Sequence, residues 1–276
     1  MEMDRAEKPL RQMRKLLKRM GEDPVPEEVH RLRTRARRIE AMAGALSTVD
    51  KQAAKRLLKA IKPIRKAAGT VRDMDVLSGN LLGIPKNGNR ESLVKLEEHL
   101  GEIRRAGAEK LMDTVNAQRR KARKRLKNYA RVLESAAAGK KPVARAAAPA
   151  MDSPPDRESR ADELVEELTR WPALRHDNLH AFRLKVKELR YVLQLFPQAG
   201  KGFIDALAKV KDQIGAWHDW EQLLAIAREA LDRQADRELL QHVEATSRRK
   251  LMQALAGANG LRQRYLSYPA QEWKRA

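Results

Sequence analysis

Two distant stretches of this sequence carry one pattern, and that repeat restricts the fold more than any other feature. Residues 29–42 read VHRLRTRARRIEAM, and residues 179–193 read LHAFRLKVKELRYVL. Aligning His30 with His180 places Arg33 on Arg183, Arg37 on Lys187 and Glu40 on Arg190. A second match follows each stretch. Gly69-Thr-Val-Arg-Asp-Met-Asp aligns with Gly215-Ala-Trp-His-Asp-Trp-Glu. The histidines lie 150 residues apart and the glycines 146 apart, so a short deletion separates the two matches. Two motifs in the same order at nearly the same offset predict a duplicated unit.

The residues around the repeat predict helices. Apolar side chains recur at three- and four-residue spacing, and alanine, leucine, lysine, arginine and glutamate dominate. Helices are expected at Met3–Met20, Glu27–Ala45 and Lys51–Ala68, with Pro63 kinking or splitting the third and Gly69 ending it. Val71–Leu82 should form a further piece, closed by Gly83-Ile-Pro85 and Asn87-Gly-Asn89. From Glu91 to Ala138 the pattern is helical throughout, as one helix or two. The composition then changes: Gly139–Asp156, GKKPVARAAAPAMDSPPD, has no usable apolar face. It reads as a linker or a disordered segment. Further helices are expected over Arg160–Arg170, Asp177–Phe196, Phe203–Gly215, Trp217–Leu231, Arg237–Ala256 and Leu261–Tyr268. The expected organisation is a first helical repeat at 1–138, a Pro/Ala-rich linker at 139–158 and a second helical repeat at 159–276.

The net charge of +21 implies self-repulsion and therefore an anionic partner. Nucleic acid, an anionic membrane and polyphosphate all satisfy that condition. With no cysteine, a disulfide framework and a thiolate zinc site are excluded. No apolar run approaches the roughly 20 residues that span a bilayer, so membrane insertion is not expected. The first residues lack an apolar signal-peptide core, which predicts a cytoplasmic protein.

The charges concentrate on particular helix faces. At 100° per residue, positions i, i+3, i+7 and i+10 fall within about 80° of one another. His180, Arg183, Lys187 and Arg190 thus form one stripe, and His30, Arg33 and Arg37 form another, with Arg38 at its edge. Lys55, Lys59, Lys62 and Lys66 share a face of the third helix, beside Arg65. Lys209 and Lys211 occupy the corresponding region of the second half. Like charges at these spacings cost a few tenths of a kcal/mol per pair. Glu40 relieves the first stripe, and no acid interrupts the second. Arginine grips phosphate oxygens with paired donors and lysine adds point charge, so such stripes suit a chain of phosphates.

A lone histidine at a helix start reads as a cap or a core residue. Recurrence with arginine three residues later favours binding for His30 and His180. Glu27-x-x-His30 and Asp177-x-x-His180 have the spacing of di-iron bundle ligands. The cationic surroundings and the missing inward glutamates argue against a metal. Asp73, Asp75, Asp219 and Glu221 are expected to orient neighbouring arginines such as Arg72, or to cap helices, rather than to catalyse. No phosphate-binding loop is present, so no catalytic residue, metal or cofactor is assigned.

The H-x-x-R-x-x-x-[RK] helix in both halves, the VRDMDVL segment and the KELRY segment resemble the CHAD family, the conserved-histidine α-helical domain. That resemblance implies an all-α fold of two four-helix bundles related by a pseudo-two-fold axis, with long helices and a central basic groove. It also implies non-enzymatic binding of inorganic polyphosphate and association with polyphosphate granules. Carried over by position, the binding residues are His30, Arg33, Arg37, Arg38, Lys62, Arg65, Arg72, His180, Arg183, Lys187, Arg190 and Lys211. Ala208 stands where Lys62 would map. Other polyanions, nucleic acid included, are the alternative partners, although few aromatics are present to stack bases. A polyphosphate-metabolising enzyme is the third reading.

Overall fold

The computed structural model describes residues 2–45, 50–86, 89–137, 154–194 and 200–266. The described residues are all-helical: α1 (Glu2–Arg19), α2 (Pro26–Ala45), α3 (Lys51–Leu82), α4 (Arg90–Ala137), α5 (Pro154–Thr169), α6 (His176–Leu193), α7 (Lys201–Ala230) and α8 (Arg237–Leu261). A single π turn, Arg262–Leu266, follows α8. The expected closure at Asn87-Gly-Asn89 and the end of the helix expected over Asp177–Phe196 lie partly outside the described residues. So do most of the expected linker, from 138 to 153, and the chain beyond Leu266.

Several elements run further than local signals predict. α3 passes through both Pro63 and Gly69 without a break. Its buried residues include Leu57, Ile61, Ile64, Ala68, Val71, Met74 and Leu77, an apolar stripe that runs across both positions. A helix-interior proline costs about 3 kcal/mol. Burying two Leu or Ile side chains returns about as much, at roughly 1.5–3 kcal/mol each. Pro63 and Lys59 are both exposed, so the carbonyl that loses its partner lies on the side open to water. α7 likewise continues through Gly215 as one helix of 30 residues, and α4 is a single helix of 48. α5 begins at Pro154, six residues before the expected start, and so takes in residues expected to belong to the linker.

The chain divides into two compact units. The first holds residues 1–82 and 97–150, the second 83–96 and 151–276. In the first, α1, α2, α3 and α4 from Glu97 enclose a core that includes Leu17, Leu32, Ile39, Leu57, Ile61, Leu111, Leu126 and Tyr129. Gly107 of α4 lies where a Cβ would stand 3.4 Å from Val71 of α3, so the helices approach closely there. In the second unit, α5–α8 enclose Leu164, Leu168, Phe182, Val186, Leu189, Phe203, Leu207 and Trp217. α7 packs most extensively on α8, and α6 on α7.

The first turns of α4 belong to the second unit and are tied to its α7–α8 connection. Ser92 Oγ donates to Asp236 Oδ1 at 2.6 Å, and both residues are buried. Asp236 Oδ2 accepts the Asp232 amide at 3.0 Å, and Lys95 Nζ lies 3.5 Å from Oδ1. The Ser92 hydrogen bond, followed by the Asp232 amide and Lys95, holds the Asp236 carboxyl below its ordinary value. A depressed carboxylate stabilises the fold above the unfolded value near 3.8, and that contribution is lost as pH falls through the folded value. Asp236→Ala strands Ser92 and the Asp232 amide, and is expected to destabilise the second unit by about 1–3 kcal/mol. Trp171, Trp217 and Trp220 lie in that unit, so tryptophan fluorescence in a urea titration reads the loss. The difference from the unsubstituted chain should shrink in acid.

Candidate polyanion-binding site

In the first unit the predicted residues lie on α2 and α3. Pro26 opens α2, and Glu27 and Glu28 favour its positive end. The register set by buried Val29, Leu32, Ala36 and Ile39 leaves His30, Arg37 and Arg38 exposed and Arg33 half-buried. Arg33 Nη1 donates to Asp73 Oδ1 of α3 at 2.7 Å. Arg65 Nε of α3 donates to Glu40 Oε1 of α2, also at 2.7 Å. The two helices therefore exchange ion pairs, one in each direction. This changes the reading of two predicted binding residues. Arg33 and Arg65 are held by carboxylates, because a half-buried guanidinium is costly without a counter-charge. Glu40, which interrupts the stripe in sequence, is the group that neutralises Arg65.

The aspartates behave as orienting groups, with different partners from the one expected. Asp73 takes Arg33, and Asp75 takes Arg104 of α4 at 2.8 Å. Arg72 instead shares an open cleft of about 360 Å³ with His30, Arg31, Glu27 and Pro26. Nearby on α2, burial and then the charges of Arg31 and Arg38 hold Arg35 below its ordinary value. Lys55, Lys59, Lys62 and Lys66 are exposed along α3. Among the described residues no hydrogen bond or ion pair joins them to the His30 stripe.

The second unit solves the same problem differently. Asn178 fixes the entry to α6, accepting the Arg175 amide and donating to Ala173 O, both at 2.9 Å. His180 is exposed, and Arg183, Lys187 and Arg190 are half-buried. Arg183 Nε donates to a main-chain oxygen, Lys211 O, at 3.1 Å. Its guanidinium lies over Gly215, with Nη2 only 3.1 Å from where a Cβ would be. Arg183 is thus anchored on α7 by the backbone, and no carboxylate pairs with it among the described residues. Lys187 and Arg190 lie 5.7 and 6.0 Å from the Tyr191 ring centre. Lys211 meets Asp212 at 2.5 Å, and Lys209 is exposed.

Three residues outside the predicted set join this face. The His180 and His218 rings lie 5.0 Å apart. Glu221 is hydrogen-bonded to His176 and lies 3.8 Å from His218 Nδ1. The sequence held a signal for His218 and Glu221, since the second match places them opposite Arg72 and Asp75. His176 aligns with Pro26 and carried no such signal. Among the described residues no group of three or more His, Asp or Glu side chains is arranged to hold a metal ion.

The close approach at Gly215 gives opposite effects in one variant. Gly215→Ala should raise the stability of α7 by about 0.5–1 kcal/mol, since alanine replaces glycine inside a helix. It should also shift the Arg183 guanidinium by a few tenths of an ångström and lower the affinity for added tripolyphosphate. A urea titration and a calorimetric binding titration measure the two effects separately.

Among the described residues no helix is long and apolar enough to cross a membrane. The CHAD domain family matches residues 4–228. The crystal structure of the CHAD domain from the plant Ricinus communis aligns with a TM-score of 0.61 at 18% identity, covering 95% of this chain and 88% of that one. No curated protein matches. The structural likeness shows the fold, and the sequence match spans both copies of the histidine–arginine repeat: the chain belongs to the CHAD family.

Proposed function

We propose that this protein binds inorganic polyphosphate without transforming it, through basic faces that each of its two helical units carries. The observation that carries this reading is the state of Arg183. Its Nε is anchored on Lys211 O, and among the described residues no carboxylate neutralises it. A guanidinium fixed in this way keeps its terminal donors for a phosphate oxygen, with little side-chain entropy left to lose. Lys187 and Arg190 continue the stripe at the spacing of successive helical turns. The equivalent positions in the first unit are Arg33, Arg37 and Glu40, of which Arg33 is already paired. The second unit is therefore the stronger binder, and the first adds a weaker face. Family membership supports polyphosphate as the polyanion, and the cytoplasm and polyphosphate granules as its place of action.

We infer that the site binds phosphate rather than transferring it. The carboxylates at 73 and 75 are engaged by arginines. Pure protein with magnesium or manganese should release no orthophosphate from polyphosphate. The triple variant Arg183→Ala/Lys187→Ala/Arg190→Ala is expected to weaken long-chain polyphosphate binding by roughly 100-fold at physiological salt, on the order of 1 kcal/mol per cation. Arg33→Ala/Arg37→Ala should cost less. Unchanged affinity in the triple variant overturns the assignment of the face. Displacement of polyphosphate by duplex DNA at equal phosphate concentration would favour the nucleic-acid reading.

A further inference from the structure

We propose that His218, together with His180, belongs to the phosphate-binding face of the second unit, and that the pair takes up protons from solvent when phosphate binds. The inference rests on the proposed function and specifies how one half of the site works. Aligning the repeat places His218 where the first unit has Arg72. Arg72 and His30 line one cleft, and His218 and His180 bring their rings to 5.0 Å. The two units thus put a pair of cationic side chains at equivalent positions. In the first, one member carries a permanent charge; in the second, both are titratable.

The groups facing the pair explain why its charge depends on the ligand. On α6, Arg183 follows His180 by one turn and opposes a second positive charge. On α7, Glu221 lies 3.8 Å from His218 Nδ1 and is also hydrogen-bonded to His176. On α8, Glu244 and Arg248 line the cavity that holds His176, Trp217 and Glu221, and they pair with each other at 2.6 Å. On α5, Glu167 is taken by Lys185 at 2.8 Å. Burial, then His218 and then Arg183, hold His180 below its ordinary value, with Glu221 acting in the opposite sense. In the free protein this half of the site therefore holds less charge than its residue count suggests. A phosphate chain laid across Arg183 supplies negative charge beside both rings. It lowers the repulsion between them and favours the imidazolium forms, which then donate to phosphate oxygens. Because phosphate favours the protonated pair, protons must by linkage favour phosphate. Affinity rises as pH falls, and it declines as pH climbs through the values the histidines have in the complex.

The test is calorimetric titration of the full chain with long-chain sodium polyphosphate, whose internal phosphates do not titrate in this range. Each titration is run at several pH values between 5.5 and 8, in buffers of different ionisation enthalpy. The unsubstituted protein should take up protons on binding, and its affinity should fall by up to about tenfold per pH unit for each proton linked. His180→Gln/His218→Gln should lose most of this uptake and this slope while still binding at pH 8. His218→Arg, which copies the first unit, should bind more tightly at pH 8 and depend less on pH. Binding by the unsubstituted protein without proton uptake, or undiminished uptake in the double variant, overturns the role of the pair alone. Absence of binding at every pH overturns the proposed function as well.

Discussion

The structure depends on one electrostatic constraint: where α2 meets α3 and where α6 meets α7, half-buried cations must be compensated before the helices can pack. A guanidinium taken from water without compensation costs far more than one helix–helix contact returns. The first unit compensates with carboxylates, through Arg33 with Asp73 and Arg65 with Glu40. The second uses a main-chain oxygen and the space above a glycine for Arg183. A carboxylate cancels the charge it satisfies, whereas a peptide carbonyl satisfies the donor and leaves the charge in place. The same packing requirement therefore leaves Arg33 and Arg65 neutralised in one unit and Arg183 charged in the other.

That difference connects packing to ligand chemistry. A polyanion competes poorly for an arginine already held by a carboxylate at 2.7 Å, because one charge-assisted bond must be broken to form another. It competes well for an arginine held by its Nε on a helix backbone. The histidine pair adds a term of a different kind, since its charge is set by what lies beside it. The Ser92–Asp236 contact has no part in this chemistry; it fixes the start of the 48-residue α4 within the second unit.

Much of this was legible in the sequence. Apolar spacing marked every helix, and the repeat identified α2 with α6 and the segments after Gly69 and Gly215 with each other. Element ends were less legible. Pro63 and Gly69 predicted breaks in α3 that buried Ile61, Ile64 and Val71 override, since a local penalty of about 3 kcal/mol is offset by long-range burial. The same holds for Gly215 in α7. Within the site, sequence spacing identified the stripes on α2 and α6 but not the partners of their members. Asp73 was expected near Arg72, its neighbour in sequence, and it meets Arg33 on the facing helix instead.

What the sequence alone determined is the helical class, the repeat and the surplus of basic residues on particular helix faces. These follow from residue type and a fixed 100° rotation per residue, both local properties. Only tertiary structure decided which of those residues carry usable charge. Glu40 lies 25 residues from Arg65, Asp73 lies 40 from Arg33, and the Lys211 carbonyl lies 28 from Arg183. Each meeting depends on how two helices pack, and no single helical pattern contains that information. The sequence already made the two basic stripes unequal, the first interrupted at Glu40 and the second purely basic. Packing paired Arg33 with a carboxylate in the first and anchored Arg183 on a main-chain oxygen in the second.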